Sequence, residues 1–229
     1  MPNPNPHTGH RKRMDEKVEL IGLANLPEHE QLEYMLFQII PLADTNEMAH
    51  ALLDKFGSLG QVFAATPREL ASVKGVGSRT AKFIAHVPAI SGIYERAVMG
   101  EGIVLDSVEK IGDYAVTLFR GKTAEEVYLL LLSANGKLLR HQRIAVGDED
   151  QAPVYIKEIM NVIVASNASS VILTHNHTKG NVTPSPNDVD VTQKVAAALS
   201  SVDVKLLDHV IVYMRKYFSM KKENLLMFM

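Results

Sequence analysis

The chain has 229 residues, of which 46% are apolar and 22% charged, with a formal net charge of −2; this balance suits one or two ordinary globular domains and excludes disordered and fibrous classes. Cysteine is absent, which removes disulfides, thiolate metal sites and cysteine nucleophiles, so any metal must be held by His, Asp or Glu. The charge gives no global argument for nucleic acid, and apolar runs such as residues 127–132 and 171–173 fall far short of the ~20 residues that span a bilayer.

Residues 1–14 are rich in Pro, Asn and His, carry the basic run Arg11-Lys12-Arg13 and show no periodicity, so a flexible tail is expected. Their polarity also lacks the apolar centre of a signal peptide, which points to a cytoplasmic chain with no membrane partner. Residues 28–57 carry two helical patterns. The second runs from Thr45 as N-cap to Gly57 as stop, with Met48, Leu52 and Leu53 on one face. Thr66-Pro67-Arg68-Glu69 opens a short third helix with a cap, a first-position proline and a capping-box glutamate. It stops near Val73. Lys74-Gly75-Val76-Gly77 follows, then a helical stretch over residues 78–98 that Pro88 should kink or divide. These elements predict a small all-helical domain over residues 15–100.

The texture changes at Gly100-Glu101-Gly102, and strand patterns begin. The expected second domain, residues 101–229, is a mixed-sheet α/β unit. A helix over 106–118 leads into strands at 127–132 and 138–146 around Ala134-Asn135-Gly136, a strong hairpin signal. A helix over 153–165, a buried strand over 171–174, a helix over 186–199 and short strands at 204–207, 210–213 and 217–220 complete the reading. No internal repeat occurs at a 20–50-residue period.

The segment from Thr174 to Asp188 carries the chemistry. His175 and His177 stand two apart at the end of an apolar strand, and the two-residue strand period puts both imidazoles on one face. Eight residues after His177, Ser185-Pro186-Asn187-Asp188 opens a helix and can bring a first-turn carboxylate to the same point. Two histidines and one carboxylate with an open fourth position form the pattern of a catalytic zinc site, and one zinc ion is the expected cofactor. Ser185 and Asp188 have a second reading as the N-cap and third residue of a well-capped helix, and the two roles are compatible.

His-x-His, seven residues, Ser, two residues, Asp is the JAMM signature of the JAB/MPN metalloprotease superfamily, matched here at every defined position. Within it the chain resembles the RadC family in His175-Asn176-His177, Thr183-Pro184-Ser185, Leu207-Asp208-His209 and upstream over residues 52–85. The resemblance implies a JAB/MPN-like fold and zinc-dependent hydrolysis of a peptide or isopeptide bond in a protein substrate. It also implies a glutamate general base at the start of the first sheet strand, for which Glu126 is the matching position and Glu125 the adjacent rival, and an oxyanion donor at Ser185. The family usually has Pro-Ser after the second histidine. Thr178-Lys179 stand here, so the loop departs while the ligands are kept.

Val73-Lys74-Gly75-Val76-Gly77-Ser78 resembles a helix-hairpin-helix, a module that binds nucleic-acid backbones without reading sequence. Gly75 and Gly77 allow a tight turn whose N–H groups, with the next helix N-terminus, can hold a phosphate, while Lys74, Arg79 and Lys82 add positive charge. The alternative is a Gly-x-Gly that merely joins two packed helices. Residues 1–100 hold ten Lys and Arg against eleven Asp and Glu, without the excess of a committed DNA binder. The alternative function is therefore a DNA-associated repair or recombination protein whose partner is weakly bound nucleic-acid backbone.

Overall fold

The computed structural model describes residues 9–41, 45–147 and 154–226. The protein is mixed α/β, with an N-terminal helical region followed by a five-stranded mixed sheet. It divides into two compact units, residues 1–88 and 89–229. Gly100-Glu101-Gly102 lies just beyond the end of the helix that contains Pro88.

The first unit contains α1 (His10–Ile21), a 3-10 turn (Leu23–Asn25), α2 (Glu28–Phe37), α3 (Asn46–Phe56), α4 (Leu59–Ala64) and α5 (Pro67–Ala71), followed by the start of α6 (Ser78–Met99). The tail expectation is corrected for residues 10–14, while residues 1–8 lie outside the described residues. Met14 is buried with Leu26 and Phe37, Val18 packs beside them one turn on, and the Arg11 guanidinium lies 4.9 Å from the Phe37 ring centre. So polar a helix shows little periodicity in sequence; its contacts with α2 hold it. Leu32, Leu36, Leu52, Leu70 and Ile84 centre the main core of this unit. Thr66 and Glu69 form the expected capping box, whereas Thr45 sits at its N-cap position without a side-chain cap bond. Pro88 does not divide α6, which is helical through it. Proline removes one N–H donor, and the neighbouring turns carry the helix past it.

The second unit is built on β1 (Glu126–Leu132), β2 (Leu138–Val146), β3 (Ser170–Asn176), β4 (Lys205–Tyr213) and β5 (Lys216–Ser219), in the order β2-β1-β3-β4-β5. β3 and β4 are parallel and the other neighbours antiparallel. Helix α7 (Val108–Phe119) covers one face; α8 (Ile156–Val164) and α9 (Pro186–Ser200) cover the other. Both central strands are buried along their whole length, which explains their unbroken apolar runs. Alternation survives in what each residue touches. Tyr128, Leu130 and Leu132 pack on the α7 side, and Val127, Leu129 and Leu131 on the α8/α9 side. Gly112 brings α7 close to β5, since a Cβ there would fall 2.3 Å from the Tyr217 ring.

The strands expected at 204–207 and 210–213 are one strand, β4. Its pairing with β3 slips one residue at Leu207. Leu206 packs on the α8/α9 side, whereas Leu207, Val210 and Val212 pack on the α7 side, the phase reversal that a β-bulge produces.

Candidate metal centre

Strand β3 delivers His175 and, just past its end, His177 to the α8/α9 face. His177 is anchored by its main-chain N–H to Val212 O at 2.8 Å, and the two rings stand 4.9 Å apart. The loop that follows turns at Asn181, whose carbonyl lies 2.7 Å from His177 Nδ1 and whose side chain accepts from Thr183 N. Helix α9 then starts with a capping box: Ser185 Oγ accepts from Asp188 N at 3.2 Å, and Asp188 Oδ2 accepts from Ser185 N and Oγ, each at 2.7 Å. Capping aims the Asp188 carboxylate back at β3. His175 Nε2 lies 3.3 Å from Asp188 Oδ1, and His177 Nε2 lies 3.7 Å from Asp188 Oδ2.

His175, His177 and Asp188 offer ligand atoms that all lie within 4.8 Å of one another. Two ligands bonded at about 2 Å to one tetrahedral zinc stand about 3.3 Å apart, so this donor set fits zinc in type and spacing. Each histidine has its Nδ1 engaged elsewhere, by His209 Nε2 at 2.8 Å and by Asn181 O, leaving both Nε2 atoms directed at the carboxylate, as metal ligands require.

The charges agree with that use. Burial pushes His175 down to about 4, against the pull of the Asp188 charge, so it is neutral near pH 7. His177 is raised by the facing Asp188 carboxylate and by the nearby Glu125 charge. Burial alone would raise Asp188, but the closeness of His177 and His175 and the hydrogen bonds from Ser185 hold it below the usual carboxylate range.

His175, His177 and Asp188 border a cavity of about 150 Å³, also lined by Glu125, Val127, Ser185 and His209. Glu126, the expected general base, is not among its walls, whereas the adjacent Glu125 is. The strand period explains why: position 125 falls on the face of Val127, which pairs with His175, and position 126 on the face of Tyr128. Glu126 is buried on the α7 side, where Tyr128 Oη donates to it at 2.9 Å and Lys122 and Arg143 pair with it at 3.1 and 3.5 Å. Choosing between adjacent glutamates needs the strand's phase, and Val127–Leu132, apolar at every position, conceals it.

His209 and Thr192 are further buried polar residues beside the ligands. The signal for His209 was Asp208-His209, a polar pair within the otherwise apolar stretch of residues 206–213. In the first unit, Lys74, Gly75, Gly77, Arg79 and Lys82 all lie exposed on the turn between α5 and α6 and on the first turns of α6, anchored beneath by buried Val73 and Val76. Gly75 has φ +89°, a backbone conformation that favours glycine. No helix among the described residues is long and apolar enough to cross a membrane.

The family model described as the RadC-like JAB domain matches residues 105–225. The chain is 33% identical over 227 residues to a UPF0758 protein of Fusobacterium nucleatum, covering 95% of this chain and 97% of that one. It is 34% identical over 217 residues to a UPF0758 protein of Ruegeria pomeroyi, again covering 95% and 97%. A UPF0758 protein of Rhodobacter capsulatus is 33% identical over 205 residues, 90% of this chain and 96% of the relative.

Proposed function

The chain belongs to the RadC-like JAB-domain family, and from that premise we propose that it is a zinc-dependent hydrolase of amide bonds in peptides or isopeptide-linked proteins. The observation that carries this reading is the convergence of His175, His177 and Asp188 on one point in a cavity that also holds Glu125 and Ser185.

His175 Nε2, His177 Nε2 and a carboxylate oxygen of Asp188 would hold the ion. When bound there, zinc supplies a Lewis acid and a water acidified to a pKa near ~7. Glu125 is the general base: its carboxylate takes the water proton as oxygen bonds to the amide carbon, and gives it to the leaving nitrogen as the C–N bond breaks. Ser185 Oγ, which otherwise donates to Asp188 Oδ2, can turn to donate to the carbonyl oxygen as charge develops there. Val127, Leu173 and Val191 give the cavity apolar walls, which strengthen these interactions by limiting water.

The test is zinc content together with cleavage of a degenerate peptide library and of lysine-branched isopeptides in ¹⁸O-labelled water. Zinc-loaded protein should bind about one ion and place ¹⁸O in the new carboxylate, while Glu125→Gln should hold zinc and cleave neither substrate. Undiminished zinc in a His175→Ala, His177→Ala double variant would overturn the site. Cleavage at the wild-type rate in Glu125→Gln would overturn the base.

A second activity, weak binding of duplex backbone, rests on the exposed glycine turn and its three exposed cations. Fluorescence anisotropy with a labelled 20-base-pair duplex at low salt should detect binding, with a slope in log salt of about −3 if three phosphates are neutralised. Lys74→Ala, Arg79→Ala and Lys82→Ala together should abolish it. No binding at low salt would remove this reading.

A further inference from the structure

We propose that Thr192 and His209 are positioning residues that fix the ring tautomer of His175, and thereby set the zinc affinity of the site, through a hydrogen-bond chain whose direction a main-chain carbonyl decides. The inference deepens the metal reading and rests on it.

The chain runs through three elements. His175 Nδ1 on β3 lies 2.8 Å from His209 Nε2 on β4. His209 Nδ1 lies 2.6 Å from Thr192 Oγ1 on α9, and Thr192 Oγ1 donates to the Asp188 carbonyl one turn back on the same helix. It therefore begins at the first metal ligand and ends on the main chain of the third. His175, His209 and Thr192 are all buried, so each proton in the chain has to be supplied by one of its members.

Its direction follows from what each group can do. A carbonyl oxygen only accepts, and the other polar neighbour of Thr192 Oγ1, Met220 Sδ at 3.5 Å, only accepts as well. The single hydroxyl proton of Thr192 is thus committed outward. Thr192 Oγ1 has to accept from His209, which puts the His209 proton on Nδ1 and leaves Nε2 bare. That bare nitrogen has to accept from His175 Nδ1–H. A neutral imidazole with its proton on Nδ1 has its lone pair on Nε2, the atom that faces Asp188. The opposite direction would place two oxygen lone pairs in close contact between Thr192 and the Asp188 carbonyl, and would put a proton where a metal has to bind.

The backbone is shaped to bring His209 to this place. Without the slip at Leu207, the two-residue period would turn His209 to the α7 face; with it, His209 lies against His175, the rings 4.9 Å apart. Asp208, also buried, holds the bulge: Oδ1 accepts from the main-chain N–H groups of His209 and Lys221 at 2.7 and 3.0 Å, and Oδ2 accepts from Ser219 Oγ.

Two measurements on the full chain test the proposal. Long-range ¹⁵N correlation spectra of the metal-free protein should show His175 with its proton on Nδ1, and Thr192→Val should give a mixture of tautomers with the amide spectrum of the fold retained. Zinc affinity, read by competition with a chromophoric chelator, should fall about 10- to 100-fold in Thr192→Val. It should stay within a few-fold of wild type in Thr192→Ser and in His209→Gln, whose amide can accept from His175 and donate to Thr192. A proton on His175 Nε2 in the wild type, or unchanged zinc affinity in a folded Thr192→Val, would overturn the proposal. A wild type that binds no zinc would overturn the metal reading instead, and the tautomer spectrum would still decide the direction of the chain.

Discussion

The side chain of Asn176 accepts the main-chain N–H of Glu126 through Oδ1 at 2.9 Å and, through Nδ2, donates to the Ala124 carbonyl at 3.0 Å. The residue between His175 and His177 thus grips the chain on both sides of Glu125. This fixes the phase at which β1 begins, turning Glu125 to the cavity and Glu126 away from it. Asn176→Ala leaves a buried N–H without its partner, which should cost about 1–3 kcal/mol of stability. Zinc content should stay near wild type while peptide turnover falls at least tenfold; equal turnover would show that Glu125 needs no such support.

Adjacent glutamates should respond in opposite ways to the same change. Glu125→Gln should abolish cleavage with little effect on thermal unfolding. Glu126→Gln should lower the melting temperature, because Lys122, Arg143 and Tyr128 lose their buried carboxylate, yet leave turnover within a few-fold of wild type. Parallel melting curves and single-turnover assays on the two variants decide the matter, and an inactive, stable Glu126→Gln would reverse the assignment.

Ser185→Ala removes both a helix cap and the proposed oxyanion donor. The cap contributes about 1 kcal/mol, and loss of one donor slows acyl chemistry about 10²- to 10³-fold. The expected result is a modest fall in melting temperature, zinc binding weakened no more than a few-fold, and a much larger fall in kcat than in 1/KM. Loss of zinc in proportion to loss of rate would mean that Ser185 acts only by aiming Asp188.

Acidification should destabilise the metal-free protein. Burial holds His175 and His209 below the ordinary histidine range, His175 at about 4. Between pH ~6.5 and the depressed values the unfolded chain binds more protons than the folded one, so stability falls as pH falls. His177, raised by Asp188, works in the opposite sense, one histidine against three, since burial lowers His141 as well. The melting temperature in chelator should drop between pH 7 and pH 5, and the zinc-loaded protein should drop more steeply because protons compete for its ligands. A melting temperature that rose over this interval would contradict the burial of both rings.

Much of the site could be read from spacing. His175, His177 and Asp188 occupy one short segment, so strand period and helix capping alone bring them together. The hairpin around Asn135-Gly136 and the burial of β3 followed equally from local pattern. Features that depend on phase between strands were hidden. Glu125 and Glu126 exchange roles with a one-residue slip, which an uninterrupted apolar strand cannot register. The bulge in β4 broke the apparent strand in two, because Asp208 and His209 are polar residues buried for their hydrogen bonds. Helix α1 gave no periodic signal, since few of its residues reach the core.

The ligands lie close together in the chain and their supports do not. Asp188 follows His175 by 13 residues, whereas the Asn176 grip on Glu126 closes a separation of 50 residues and the His175–His209 contact one of 34. Loop closure of the shorter segment costs less entropy. During folding, the three residues proposed to hold the ion can therefore come together on β3, its loop and the first turn of α9 at a lower entropic cost than the contacts with β1 and β4. Glu125 reaches the cavity only when β1 pairs with β3, so under the proposed function the order of assembly would separate metal capture from catalytic competence.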